Sequence, residues 1–151
     1  MGISSDDDYY SGDLTMADFY VMCGVPGSGK TTHSKRMAEE HNLMRFSFDE
    51  MRCFRLEEFM RPALEAIREG KSVILDSTNL RANVRAKILQ AVEDIPCKKI
   101  AVYMNTPLEE CIRRNSNREA RLEDCIIEST HRSLQPPTLV EGWDEVKEVK
   151  P

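Results

Sequence analysis

No apolar run in this 151-residue chain approaches the roughly 18 residues that a membrane-spanning helix needs, so a bilayer-crossing segment is not expected. The start is acidic instead of basic and then apolar, so no secretory leader is expected. Met1-Gly2 opens a myristoylation pattern, but Asp6 stands where that pattern needs Ser or Thr. The five cysteines (Cys23, Cys53, Cys97, Cys111 and Cys125) are an odd number with no C-x-x-C pair. That argues against a disulfide framework or a zinc site and suits small buried hydrophobes in a reducing, cytoplasmic setting. A basic surplus is also missing. The formal net charge is −5, and residues 1–18 carry five aspartates with no Lys or Arg, which leaves the rest near neutral. A globally basic nucleic-acid footprint is thereby excluded, and any polyanion must be gripped by a local cluster.

What remains has the size and the ordinary charged and apolar fractions of one globular domain with a real core. Residues 1–15, rich in Ser, Asp and Gly, read as a disordered acidic tail or a remnant of expression, and the domain is assigned to 16–151. Beyond the tail, apolar β-branched runs alternate with helical patterns. Strands are expected near 18–23, 43–48, 72–76, 99–104 and 145–149, and helices near 30–41, 57–69, 81–93, 107–115 and 122–134. Gly70 should stop the second helix and Pro96 the third, while Thr106-Pro107-Leu108-Glu109 reads as a capping box opening the fourth. This order predicts an α/β fold of three layers: a mostly parallel five-stranded sheet with helices on both faces. Ligands of such sheets sit at the carboxyl ends of the strands.

Gly24-Val25-Pro26-Gly27-Ser28-Gly29-Lys30-Thr31 fits G-x-x-x-x-G-K-[ST], the P-loop, between the first strand and the first helix. Glycines let the backbone curl round a polyphosphate, so that successive N–H groups point at its oxygens and the helix N-terminus adds partial positive charge. Lys30 would reach the β- and γ-phosphates of ATP, and the Thr31 hydroxyl would sit on Mg²⁺.

Two further carboxylates end strands. Asp76 could hold Mg²⁺ directly or through water, or could cap the next helix; Thr78 and Asn79 could orient waters or phosphate oxygens, or cap equally well. Asp49 could take the proton of an attacking hydroxyl, with Arg52 binding an anionic group on the acceptor; the same spacing suits an N-cap and a surface ion pair. Arg113-Arg114-Asn115-Ser116-Asn117-Arg118-Glu119-Ala120-Arg121 is the densest basic stretch, either a lid over a nucleotide or a solvated helix end. There is no Asn-Lys-x-Asp to read guanine. Ser77, not Glu, follows Asp76, so a hydroxyl acceptor suits the chain better than water.

Taken together, Gly24–Thr31, Phe48-Asp49-Glu50-Met51-Arg52, the segment 70–79, Arg114-Asn115-Ser116-Asn117-Arg118 and Pro137-Thr138-Leu139-Val140-Glu141-Gly142-Trp143 resemble the P-loop kinases grouped with bacteriophage and animal polynucleotide 5′-kinase. The resemblance implies transfer of the γ-phosphate of ATP, with Mg²⁺, to a hydroxyl, above all the 5′-hydroxyl of DNA or RNA. It implies Lys30, Asp49 (general base) and Arg118 (lid arginine) as catalytic residues. Gly24, Pro26, Gly27, Ser28, Gly29, Lys30, Thr31, Thr32, Arg114 and Arg118 would contact ATP. Asp49, Arg52, Thr78 and Asn79 would contact the acceptor, and Thr31 and Asp76 the metal. The stretch between Arg52 and Asp76 is shorter than in the phage enzyme, and the lid after Arg118 is trimmed. Both departures bear on the acceptor more than on ATP. Related folds phosphorylate seryl-tRNA, sugars or antibiotics, so a small-molecule or tRNA-borne hydroxyl is the alternative acceptor. A nucleotide-binding switch with little turnover is the alternative of a different class.

Overall fold

Strand β1 (Ala17–Cys23) alternates its side chains between two cores, because successive residues of a strand point to opposite faces. Phe19 and Val21 face one way, with Val73, Leu75 and Ala101; Tyr20 and Met22 face the other, with Ile74, Ile100 and Val102. Both faces are therefore covered at the centre of the sheet, which explains why its central strands read as largely apolar runs. The structure, a computed structural model, describes residues 16–150; the expected tail at 1–15 lies outside the described residues.

The chain then runs α1 (Lys30–His41), β2 (Met44–Ser47), α2 (Leu56–Arg68), β3 (Val73–Asp76), α3 (Ala82–Ala91), β4 (Cys97–Met104), α4 (Leu108–Ser116), α5 (Asp124–Ser133) and β5 (Glu145–Val149). The sheet order is β2-β3-β1-β4-β5, and every pairing is parallel. The first core takes Phe59, Ala63 and Ile67 of α2 and Ile88 of α3, while the second takes Met37 of α1. This is the expected three-layer α/β fold. A third cluster of Val25, Cys111 and Ile127 seats α4 and α5 against the turn after β1.

Helix ends differ from expectation in two places. Gly70 does stop α2: at φ 84° its N–H bonds to Ile67 O and the Lys71 N–H to Ala66 O, a left-handed cap that closes the last turn. But α3 ends at Ala91, short of the expected 93 though likewise ahead of Pro96, in a turn closed by the Ile95 N–H on Val92 O. And Thr106 caps nothing. Its hydroxyl donates to Ser28 O at 2.8 Å, so the expected capping box is replaced by a tether to the turn after β1.

Candidate active site

Because all five strands run parallel, the turns leaving β1, β2, β3 and β4 emerge at one edge of the sheet. The turn after β1 is held from beneath. The Gly24 N–H bonds to Thr78 O (3.0 Å), Thr106 holds Ser28 O, and Gly27 lies so close to α4 that a Cβ there would stand 2.5 Å from Cys111 O. Gly27 and Gly29 have φ of 84° and 93°, which only glycine adopts without strain. The N–H groups of Gly27, Gly29, Lys30, Thr31 and Thr32 find no backbone acceptor among the described residues, so an unfilled ring of donors opens α1. Ser28 Oγ is buried with no partner among them either. An array of unpaired N–H groups at a helix N-terminus, beside a lysine, fits the phosphates of a nucleotide.

Lys30 points back across this ring. Its Nζ lies 3.8 Å from Asp76 Oδ1, at the end of β3. Burial lowers its amine below the usual lysine value, against the opposing pull of the Asp76 and Asp49 carboxylates; Arg118 and Arg45 lower it further. Asp49 and Arg118 thus lie within electrostatic reach of the same ammonium.

Asp76 is 3% exposed and already well engaged. Its Oδ2 accepts from Ser34 Oγ at 2.7 Å and from Arg45 Nη2 at 2.6 Å. Arg45 also donates through Nε to Ser34 Oγ (2.8 Å) and through Nη1 to both Glu50 oxygens. The register of β2 on β3 makes this possible by setting Ser47 beside Asp76 and Arg45 beside Ile74. With Oδ2 taken up by two donors, Oδ1 is the oxygen left to face a metal, directly or through water. Mg²⁺ tolerates that, since it keeps several waters and takes few protein ligands beside phosphate oxygens. Thr31, exposed in the first turn of α1, is the available hydroxyl.

Sequence reasoning missed Arg45 and Ser34. Ser34 lies one helical turn beyond Lys30 and shares its face. Arg45 was the lone cation in an apolar strand leading to the site, and that was the available signal.

Asp49 sits on a single helical turn after β2. Arg52 N–H bonds to Asp49 O (3.1 Å) and Cys53 N–H to Phe48 O (3.2 Å), which closes the turn with Arg52 in the left-handed region at φ 56°. Glycine is the usual residue at that place. A cleft of about 490 Å³ joins Asp49 to Lys30, with Thr78, Asn79 and Arg81 along its wall. Asn79 is held there by Nδ2 donating to Met22 O at 2.7 Å. Arg52 is exposed and outside that lining. A larger groove of about 630 Å³ between α2 and α3 contains no residue of the glycine turn.

From the other side, Arg114 leans over the glycine turn, its Nη1 2.5 Å from where a Gly29 Cβ would stand. Glu110 fixes it with a 2.8 Å bond to Nε and bonds Arg113 as well. Hydrogen bonds from Arg113 and Arg114 hold the Glu110 carboxyl at about 2. Arg118 stands in the exposed loop beyond α4, whose base is clamped by buried Asn115 bonding both the N–H and the carbonyl of Leu122.

Another missed feature lies behind the Asn79 wall. Arg85, fully buried on α3, donates to both oxygens of Glu141 at 2.8 Å and to Asn79 O at 2.9 Å. Trp143 Nε1 donates to Glu141 as well. A cation one turn from Ile88 on an otherwise apolar face was the sign of a buried partner.

L-seryl-tRNA(Sec) kinase of Methanococcus maripaludis is 26% identical over 141 residues, covering 82% of this chain and 55% of its own length. The bifunctional polynucleotide phosphatase/kinase of Schizosaccharomyces pombe is 24% identical over 152 residues, covering 97% and 36%. The chain therefore spans about half or less of these curated relatives. A fungal RNA kinase structure superposes with a TM-score of 0.71 at 18% identity, covering 89% of this chain and 38% of that one, which shows the shared fold. A family model for the AAA domain AAA_33 matches residues 19–137, from β1 through the glycine turn to the segment after α5, and the chain belongs to that family.

Proposed function

We propose that this domain is an ATP-dependent phosphotransferase acting on a hydroxyl acceptor, with a polynucleotide 5′-hydroxyl as the acceptor. The single observation that carries the reading is the cleft that opens on both Lys30 and Asp49. The Lys30 ammonium and the Asp49 carboxylate, which has no side-chain partner among the described residues, share that cavity. The two relatives act, by name, on a tRNA-borne seryl group and on a polynucleotide.

ATP with Mg²⁺ supplies the electrophilic γ-phosphorus. Gly27 to Thr32 would hold its phosphates through main-chain N–H groups, Lys30 would offset the charge developing on the transferred group, and Arg114 and Arg118 would close over it. Asp49 would orient the acceptor hydroxyl and take its proton as the new O–P bond forms; the bond from the γ-phosphorus to the β–γ bridging oxygen breaks, and ADP leaves. Thr31, with Asp76 directly or through water, would hold the metal. Arg45 and Ser34 keep the Asp76 carboxylate aimed at Lys30.

The test is transfer of label from γ-labelled ATP to a 5′-hydroxyl oligonucleotide, to a nucleoside 3′-phosphate and to a mixture of small hydroxyl metabolites. Label on the oligonucleotide is expected. Label confined to metabolites would move the acceptor to a small molecule, and nucleotide binding without transfer would leave a binding module.

Arg52 offers a check on the acceptor side. A non-glycine residue in the left-handed region stores on the order of 1–3 kcal/mol, whereas glycine costs roughly 0.5–1 kcal/mol in extra entropy. Arg52→Gly should therefore melt at or above the wild-type temperature and yet show a raised KM for a phosphate-bearing acceptor. A variant as active as wild type on that acceptor would take Arg52 out of recognition.

A further inference from the structure

Phe54 is 92% exposed, two residues before Leu56, which lines the cleft. Its neighbours in sequence behave differently: Phe48 and Phe59 meet edge to face at 5.3 Å, and both belong to the core built on α2. Among the described residues Phe54 is the one aromatic side chain left in solvent.

Its backbone is fixed. The Cys53 N–H on Phe48 O brings the chain back beside the residue preceding Asp49, and Glu58 Oε1 accepts from the N–H of Phe54 (3.0 Å) and of Arg55 (3.4 Å). Exposed arginines, Arg52 and Arg55, stand two residues before and one residue after it, and Arg81 lines the cleft. An exposed aromatic ring with arginines close by in sequence is the composition that holds single-stranded nucleic acid without reading its sequence: bases stack on the ring, and phosphates meet the cations. A sugar acceptor offers neither a π-face nor a phosphate. The chain outside the tail is near neutral, so a local cluster of this kind is what a polyanion would need.

We propose that Phe54, flanked by Arg52 and Arg55, is a stacking subsite for the terminal nucleobase of a single-stranded 5′-hydroxyl acceptor. This rests on the phosphotransferase reading above and narrows it to acceptors that carry a base beside the reacting hydroxyl.

The experiment compares two 5′-hydroxyl oligonucleotides that differ only at the first residue, one with a normal base and one abasic. Stacking of one base is worth about 5- to 150-fold in binding, so the wild-type KM should be lower for the base-bearing acceptor by a factor in that range. Phe54→Ala should erase the difference by raising the KM for the base-bearing acceptor alone, with kcat, the KM for ATP and the melting temperature unchanged. Phe54→Trp should keep it. A Phe54→Ala variant that retains the wild-type ratio, or that loses both acceptors equally, would overturn the subsite and leave phosphotransfer standing. Wild-type protein that labels neither oligonucleotide but labels a small hydroxyl compound would overturn the polynucleotide acceptor itself, and the subsite with it.

Discussion

Asp49→Asn is expected to bind ATP as the wild-type chain does and to transfer phosphate about 10²–10⁴-fold more slowly, the usual contribution of a positioned general base. The substitution preserves shape and removes only the proton acceptor. Asp49 is exposed on a short turn, and the bonds closing that turn are main-chain ones, so the fold should not suffer. The nucleotide would be held elsewhere, by the glycine turn and Lys30, which is why binding and transfer should separate. Single-turnover transfer measured beside nucleotide titration reads both quantities. Full transfer in the variant would remove Asp49 from the chemistry.

The largest expected loss of stability comes from Glu141→Ala. Arg85 is completely buried and bonds both oxygens of Glu141, so the substitution strands a guanidinium in the core at a cost of about 3–5 kcal/mol. Replacing the pair together, Arg85→Met with Glu141→Leu, should cost less than Glu141→Ala alone, since no charge is then left unpartnered. Burial pushes the Glu141 carboxyl up. The hydrogen bonds from Arg85 and Trp143, the Arg85 charge and the Thr138 N–H outweigh burial, and the net direction is below the ordinary 4.5. A carboxyl lowered in the folded state stabilises above its unfolded value and loses that contribution as pH falls through the folded one. The gap between wild type and Glu141→Ala should accordingly be full at neutral pH and shrink in acid below about 4.5. Urea unfolding at several pH values measures it; a gap independent of pH would mean that the pair is not the source.

Features that depend on local chemistry were readable in advance. The glycine turn is one, because Gly27 and Gly29 occupy backbone conformations that other residues adopt only with strain. The central strands are another, because the part of a sheet covered on both faces needs mostly apolar side chains on both, as β1, β3 and β4 have. The hidden features are pairings between distant segments: Arg45 with Asp76 across 31 positions, and Arg85 with Glu141 across 56. No periodicity marks such contacts; each showed only as a charge in an apolar pattern. Thr106 misled for the opposite reason. Its local pattern favoured a cap, but a buried carbonyl of the glycine turn needed a donor more. The two donors on Asp76 Oδ2 were hidden for the same reason as Arg45 and Arg85: they come from a helix and a strand that only the folded sheet brings together.

The most direct measurement is a crystal structure of the protein with a non-transferring ATP analogue, Mg²⁺ and a 5′-hydroxyl oligonucleotide. Phosphotransfer at this site requires the acceptor oxygen to lie roughly 3–3.5 Å from the γ-phosphorus and within hydrogen-bond reach of Asp49, with the phosphates seated on the N–H groups of Gly27 to Thr32. An acceptor oxygen remote from Asp49, or a triphosphate bound away from Lys30, would contradict it.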